Sequence, residues 1–161
     1  MRKELTDNEA MVRLEDLCAR AERCTHELRQ KLYGWRITGA RADAIINSLV
    51  DRRFVDDERF ARAFVNDRVR FQRRGRLIIR RDLMVKRVPA AIIDAALAAI
   101  DEDTYSDNLI HTLRVKLRAM GSETLSDPMA RQKLLRHAVS RGYEPSLAAA
   151  AIRSLKEGSE C

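Results

Sequence analysis

The pentad Leu28-Arg29-Gln30-Lys31-Leu32 returns as Ile79-Arg80-Arg81-Asp82-Leu83 and again as Ala130-Arg131-Gln132-Lys133-Leu134, each time 51 residues further on. A second similarity keeps the same order: ADAIINSL (42–49) resembles PAAIIDAAL (89–97) and, more loosely, SLAAAAIRSL (146–155). Two elements agreeing on order and spacing define a unit of about fifty residues, and a fixed period of that size constrains a fold more than any single motif. The 161-residue chain holds three such units, at 9–54, 55–100 and 101–157. A fifty-residue unit buries little surface alone, so neighbouring units are expected to stack and share apolar faces.

Each unit reads as three helices. In the middle one, Asp56-Asp57-Glu58 gathers acids at a helix start and Arg68 and Arg70 follow at the other end, an order that suits the helix dipole. Phe60 and Phe64 are expected to share the buried face of that helix with Ala61, Val65 and Phe71. Gly75 breaks the pattern, a second helix is expected to run to about Arg87, and Pro89 fits the first turn of a third. Pro128 after Asp127 and Pro145 after Glu144 mark helix starts in the same way, with Asp127 as an N-cap and Gly39, Gly121 and Gly142 in turns. An Ala-, Leu- and Arg-rich chain with three Pro and few aromatics favours helix throughout. The expected fold is all-α: three tandem three-helix repeats forming an elongated, curved array.

The longest apolar run, AAIIDAALAAI (90–100), is interrupted by Asp94 and falls well short of the roughly 20 residues that cross a bilayer. The first ten residues carry no apolar core of a signal sequence, so a cytoplasmic location without membrane contact is expected. Cys18, Cys24 and Cys161 give no disulfide framework, and Cys18 and Cys24 fall where helix periodicity wants buried side chains. Cys18, Cys24 and His26 lack a fourth ligand at zinc spacing, and His111 and His137 stand isolated. Phosphate loops and nucleophile motifs are missing as well. No enzyme activity, metal or cofactor is expected.

Charge is the second constraint. Residues 68–87 carry nine basic side chains, Arg68, Arg70, Arg73, Arg74, Arg76, Arg80, Arg81, Lys86 and Arg87, against one acid, Asp82. The chain's formal charge of +7 is therefore local, and the remainder is close to neutral. At 100° per residue Arg76, Arg80 and Arg87 fall on one stripe, with Leu77 and Met84 on one side and Ile79 and Leu83 on the other. No single clean apolar face results. Scattered arginines would merely solvate a helix, but a single-sign concentration favours a polyanion or an acidic protein groove.

Two other readings compete. The stretch 28–49 has the outline of a helix-turn-helix with Arg36 and Arg41 near its turn, although a helical hairpin with Trp35 and Ile37 in its core explains the threefold recurrence better. Asp56-Asp57-Glu58 suggests metal ligands, but adjacent helix positions point about 100° apart and do not converge on an ion. Helix capping accounts for them better.

With these residues in view, the middle of the chain resembles RecX-type regulatory proteins, bacterial modulators of the RecA recombinase. The likeness rests on Val55-Asp56-Asp57, Arg59-Phe60-Ala61, Phe64-Val65, Arg68, Gly75, the Arg-rich helix with Leu83, and Ile93 and Leu97. It extends more loosely to Glu27-Leu28, Lys31-Leu32 and Arg141-Gly142-Tyr143. Where that family usually has glycine, this chain has Arg53 before Phe54 and Arg87 before Val88. The resemblance implies a monomeric, non-enzymatic helical-repeat protein that lies in the groove of a RecA filament on DNA. There it would damp strand exchange, ATP hydrolysis and coprotease activity, and so act in homologous recombination, DNA repair and the SOS response. The alternative is a direct DNA- or RNA-binding protein that uses its repeats as helix-turn-helix-like modules.

Overall fold

The computed structural model describes residues 3–121 and 125–159; Cys161 lies outside them. The described residues form nine α-helices and no strand: α1 (Asp7–Arg20), α2 (Thr25–Gly34), α3 (Gly39–Asp51), α4 (Asp57–Arg70), α5 (Arg76–Val85), α6 (Ala90–Ala98), α7 (Glu102–Met120), α8 (Pro128–Ser140) and α9 (Pro145–Ser159). The helix starts follow from local chemistry. Thr6 and Glu9 form a capping box on α1, the Asp101 carboxylate accepts from Thr104 N–H on α7, and Asp127 caps α8 by accepting from Met129 N–H at 3.0 Å. Pro128 and Pro145 open α8 and α9, where the missing N–H has no partner to lose.

Contacts divide the chain into two compact units, and the division falls within α4, α5 and α6. The first comprises the residues up to Phe64 together with Leu83–Ala96. Its core joins Ala10 and Leu14 of α1, Leu28 and Leu32 of α2, and Ile45, Ile46 and Leu49 of α3, with Ile37 and Val55 from the connections. Phe60 and Phe64 are buried here as the i, i+4 spacing predicts, their ring centroids 5.8 Å apart. The acidic motif at the start of α4 holds this unit together. Asp56 accepts from Arg59 N–H and caps α4; Asp57 reaches α2, where it accepts from the Thr25 N–H at 2.8 Å and hydroxyl at 2.9 Å. Arg59 donates to the carbonyls of Arg53 and Phe54 past the end of α3 and pairs with Glu22 at 2.6 Å. One short motif thus satisfies the starts of α4 and α2 and ties down the turn after α3.

The second unit comprises Val65–Asp82 and the residues from Leu97 onward. Its core includes Val69, Ile79, Leu109, Leu113, Leu134 and Ala138, with Tyr105 and Tyr143 fully buried and their centroids 5.2 Å apart. Here the backbone before α5 runs directly against the α8–α9 turn. Gly75 N–H donates to the Arg141 carbonyl at 2.9 Å and Leu77 N–H to the Gly142 carbonyl at 3.0 Å. A Cβ built on Gly75 would stand 2.1 Å from the Gly142 carbonyl carbon. Gly75 is therefore required for close approach rather than as a helix breaker.

The repeat shows in the ends of α2, α5 and α8. Ile37 N–H donates to the Leu32 carbonyl, Val88 N–H to Leu83 and Tyr143 N–H to Ala138, the six-to-one bond of a Schellman ending. Leu32 and Leu83 are 51 residues apart, but Ala138 follows Leu83 by 55. The third pentad, centred on the 51-residue step, therefore sits about one helical turn early. A slip of four residues keeps the same helix face, so the apolar pattern hid it.

Candidate functional site

The basic segment occupies the end of α4, the α4–α5 connection, α5 and the turn after it. Arg68 and Arg70 are on α4, Arg73 and Arg74 in the connection, Arg76, Arg80 and Arg81 on α5, and Lys86 and Arg87 beyond its end at Val85. Arg87 has φ 54° and is not helical, because Arg87 N–H and Val88 N–H close the Schellman turn onto α5. The stripe expected from Arg76, Arg80 and Arg87 therefore does not continue to Arg87. Its first member is committed to internal contacts: Arg76 is only 19% exposed, donates to Glu102 at 2.6 Å, and lies with its guanidinium carbon 3.9 Å from the Tyr105 ring centre. Glu144 completes the cluster, accepting from Arg76 at 3.4 Å and from the Tyr105 hydroxyl at 2.8 Å. Burial, followed by this bond to Glu144, pushes the Tyr105 hydroxyl far above its ordinary value, so it stays protonated as a donor.

Lys86 is likewise tied into the first unit, pairing with Glu27 at 2.9 Å and standing 5.9 Å from the Phe60 ring centre. Arg81 pairs with its neighbour Asp82 at 3.3 Å but remains exposed, as do Arg70, Arg73 and Arg87. The apolar residues of α5 sort cleanly. Ile79 and Leu83 are fully buried, whereas Leu77 and Met84 are 46% and 62% exposed. The helix has one buried face, and opposite it Leu77, Arg81 and Met84 fall within about 60° of one another. An exposed strip that interleaves apolar side chains with a cation suits a protein partner better than solvent.

Phe71 departs from expectation. It follows the last residue of α4 and is 73% exposed, because the chain leaves the helix at Arg70 before the i+7 position can turn inward. The Arg70 guanidinium lies 5.7 Å from its ring centre. Arg73 and Arg74 make no ion pair among the described residues, and the structure places a further arginine and two histidines around them. Phe71, Arg73, Arg74, His111, His137 and Arg141 line one groove of about 450 Å³ in the second unit. His111, His137 and Arg141 were not legible as partners of the basic segment, since they lie some 37 to 70 residues away along the chain. Their only local signal was the loosely shared Arg141-Gly142-Tyr143.

Among the described residues no group of His, Cys, Asp and Glu could hold a metal ion, and no helix is long and apolar enough to cross a membrane. The fold and its surface define an all-helical, repeat-built protein with a concentrated basic surface. The model of the second three-helix domain of RecX matches residues 56–97, which span α4, α5 and most of α6. The regulatory protein RecX of Xanthomonas axonopodis pv. citri is 33% identical over 137 residues, covering 85% of this chain and 82% of that protein. The regulatory protein RecX of Lactobacillus delbrueckii subsp. bulgaricus is 29% identical over 158 residues, but the chain spans only 57% of its length. Among solved structures, RecX from Lactobacillus salivarius superposes with a TM-score of 0.84 at 19% identity, covering 93% of this chain and 96% of that one. A second regulatory protein RecX gives 0.76 at 20% identity, covering 88% and 68%. The chain belongs to the RecX family of regulatory proteins.

Proposed function

We propose that this protein regulates a RecA-type recombinase by binding its filament on DNA, without catalysis of its own. The observation that carries this reading is the exposed basic segment, in which Arg70, Arg73, Arg81 and Arg87 face solvent. A nucleoprotein filament offers both an acidic protein groove and phosphates, which matches a surface that mixes cations with the exposed Leu77 and Met84 of α5. Binding there in the cytoplasm would damp ATP hydrolysis, strand exchange and coprotease function. Family membership supports the regulatory role, and the resemblance stated above supplies the recombinase as partner.

The test is RecA ATP turnover on single-stranded DNA with this protein titrated in. Inhibition at substoichiometric amounts relative to RecA is the expected result. The second reading, direct DNA or RNA binding through helix-turn-helix-like repeats, would reduce turnover only when the protein is abundant enough to coat the DNA. That outcome would overturn the first.

A further inference from the structure

The groove around Arg73 draws its lining from the α4–α5 connection, α7, α8 and the turn after α8. Three arginines, Arg73, Arg74 and Arg141, and two histidines, His111 and His137, line it, and no carboxylate does. At its edge stands Phe71, 73% exposed, an orientation that costs hydration of a large ring unless something covers it. The Arg70 guanidinium lies 5.7 Å from the ring centre, and the ring is otherwise open to solvent; arginines beside an exposed aromatic are the two components by which proteins hold unpaired nucleotides: cations on the backbone and a flat ring for the base.

The loop that carries these groups is held in place from several sides. The Tyr143 hydroxyl donates to the Arg73 carbonyl at 2.7 Å, the Arg141 guanidinium donates to the Gln72 carbonyl, and Arg74 N–H returns to the Arg68 carbonyl at 3.0 Å. Arg73 itself sits at φ 48°, a left-handed conformation that it shares with Arg36, Arg53 and Arg87 and that fixes the direction in which its side chain leaves the loop. Burial and the nearby Lys116 and Arg141 lower the pKa of His137, so its imidazole is neutral near pH 7 and adds hydrogen-bonding capacity.

We propose that this groove binds one unpaired nucleotide of single-stranded DNA, its base stacked on Phe71 and its flanking phosphates held by Arg73, Arg74 and Arg141. The choice of DNA rests on the filament-binding reading; the stacking and phosphate chemistry does not. The site would give the protein a hold on the strand that is independent of the recombinase.

Fluorescence anisotropy with labelled dT10 in the absence of recombinase tests this. Phe71→Ala, an exposed change, should weaken binding of dT10 about tenfold while leaving circular dichroism unchanged. A ten-unit abasic strand with the same phosphates should bind wild type about as weakly as Phe71→Ala binds dT10, and should not distinguish the two proteins. Arg73→Gln with Arg74→Gln should flatten the slope of log affinity against log salt by about 0.7 per lost contact. Equal binding of dT10 by wild type and Phe71→Ala would overturn the stacking claim. Equal binding of dT10 and the abasic strand by wild type would assign the groove to polyanions in general, and preference for rU10 over dT10 would overturn the commitment to DNA. Because recombinase is not present, failure of this assay leaves inhibition of RecA turnover intact as a separate result, and the converse holds.

Discussion

Replacing Gly75 with Ala tests the backbone contact on which the second unit is built. The added methyl would lie 2.1 Å from the Gly142 carbonyl carbon, 2.3 Å from its oxygen and 2.3 Å from Tyr143 N. All three are backbone atoms, so no side chain can swing aside. Ordinary carbon contacts lie near 3.5–4.0 Å, and the two segments would have to part by more than about 1 Å. That movement breaks the Gly75–Arg141 and Leu77–Gly142 hydrogen bonds, now 2.9 and 3.0 Å, and each stranded buried N–H costs about 1–3 kcal/mol. The expected loss is about 3–5 kcal/mol. In a chain of this size, that corresponds to a fall of about 10 °C in Tm. Differential scanning calorimetry measures it directly, and faster amide exchange at residues 75 and 77 would localise it. Gly34→Ala is the control: a Cβ there meets nothing within 4 Å, and Gly34 is helical with an ordinary φ, so this change should leave Tm level or raise it slightly. A Tm for Gly75→Ala within about 2 °C of wild type would refute the argument.

Three further outcomes follow from the geometry. Arg53 and Arg87 hold the left-handed Schellman position at φ 60° and 54°; replacing both with Gly should raise stability by about 1 kcal/mol in denaturant melts, strain relief outweighing chain entropy, and a loss would contradict it. Phe60→Ala should cost about 3–5 kcal/mol, because the ring is buried against Phe64, and a cost below about 1 kcal/mol would show that the face is not a core. His137 has a folded-state pKa below its ordinary 6.5, so the unfolded chain binds the extra proton first as pH falls. Stability should therefore drop as pH is lowered through about 6.5, and His137→Gln should flatten that part of the profile; an unchanged profile would dismiss the assignment.

What the sequence revealed was whatever depends on neighbours along a helix. The 51-residue step between Leu32 and Leu83, the prolines opening α8 and α9, and the paired Phe60 and Phe64 were all readable from local spacing. The slip to 55 residues at Ala138 was hidden because one extra helical turn preserves the apolar phase. Phe71 was misplaced for the opposite reason: the helical phase was extended beyond Arg70, where the helix had already ended. Arg76 looked like surface charge, since its partners Glu102, Tyr105 and Glu144 belong to α7 and the turn before α9. Gly75 read as a breaker, whereas its reason lies at Gly142. The Thr6-Glu9 capping box carried a usable local signal that the periodic argument passed over. In the left-handed turns, arginine at positions 53 and 87 keeps the geometry that glycine would give, so the departures from the family pattern alter strain rather than shape.

The central claim is that the exposed cations of residues 68–87 bring this protein onto a recombinase filament. The most direct measurement is RecA ATP turnover on single-stranded DNA with wild type beside a variant carrying Arg73→Gln, Arg81→Gln and Arg87→Gln. These three side chains are exposed, whereas Arg76 is left intact because its ties to Glu102 and Glu144 support the fold. Wild type should inhibit at substoichiometric amounts, and the variant, with unchanged circular dichroism, should need at least about ten times more protein for the same inhibition. Inhibition by the variant at the wild-type concentration, or none by wild type even in excess over RecA, would contradict the account.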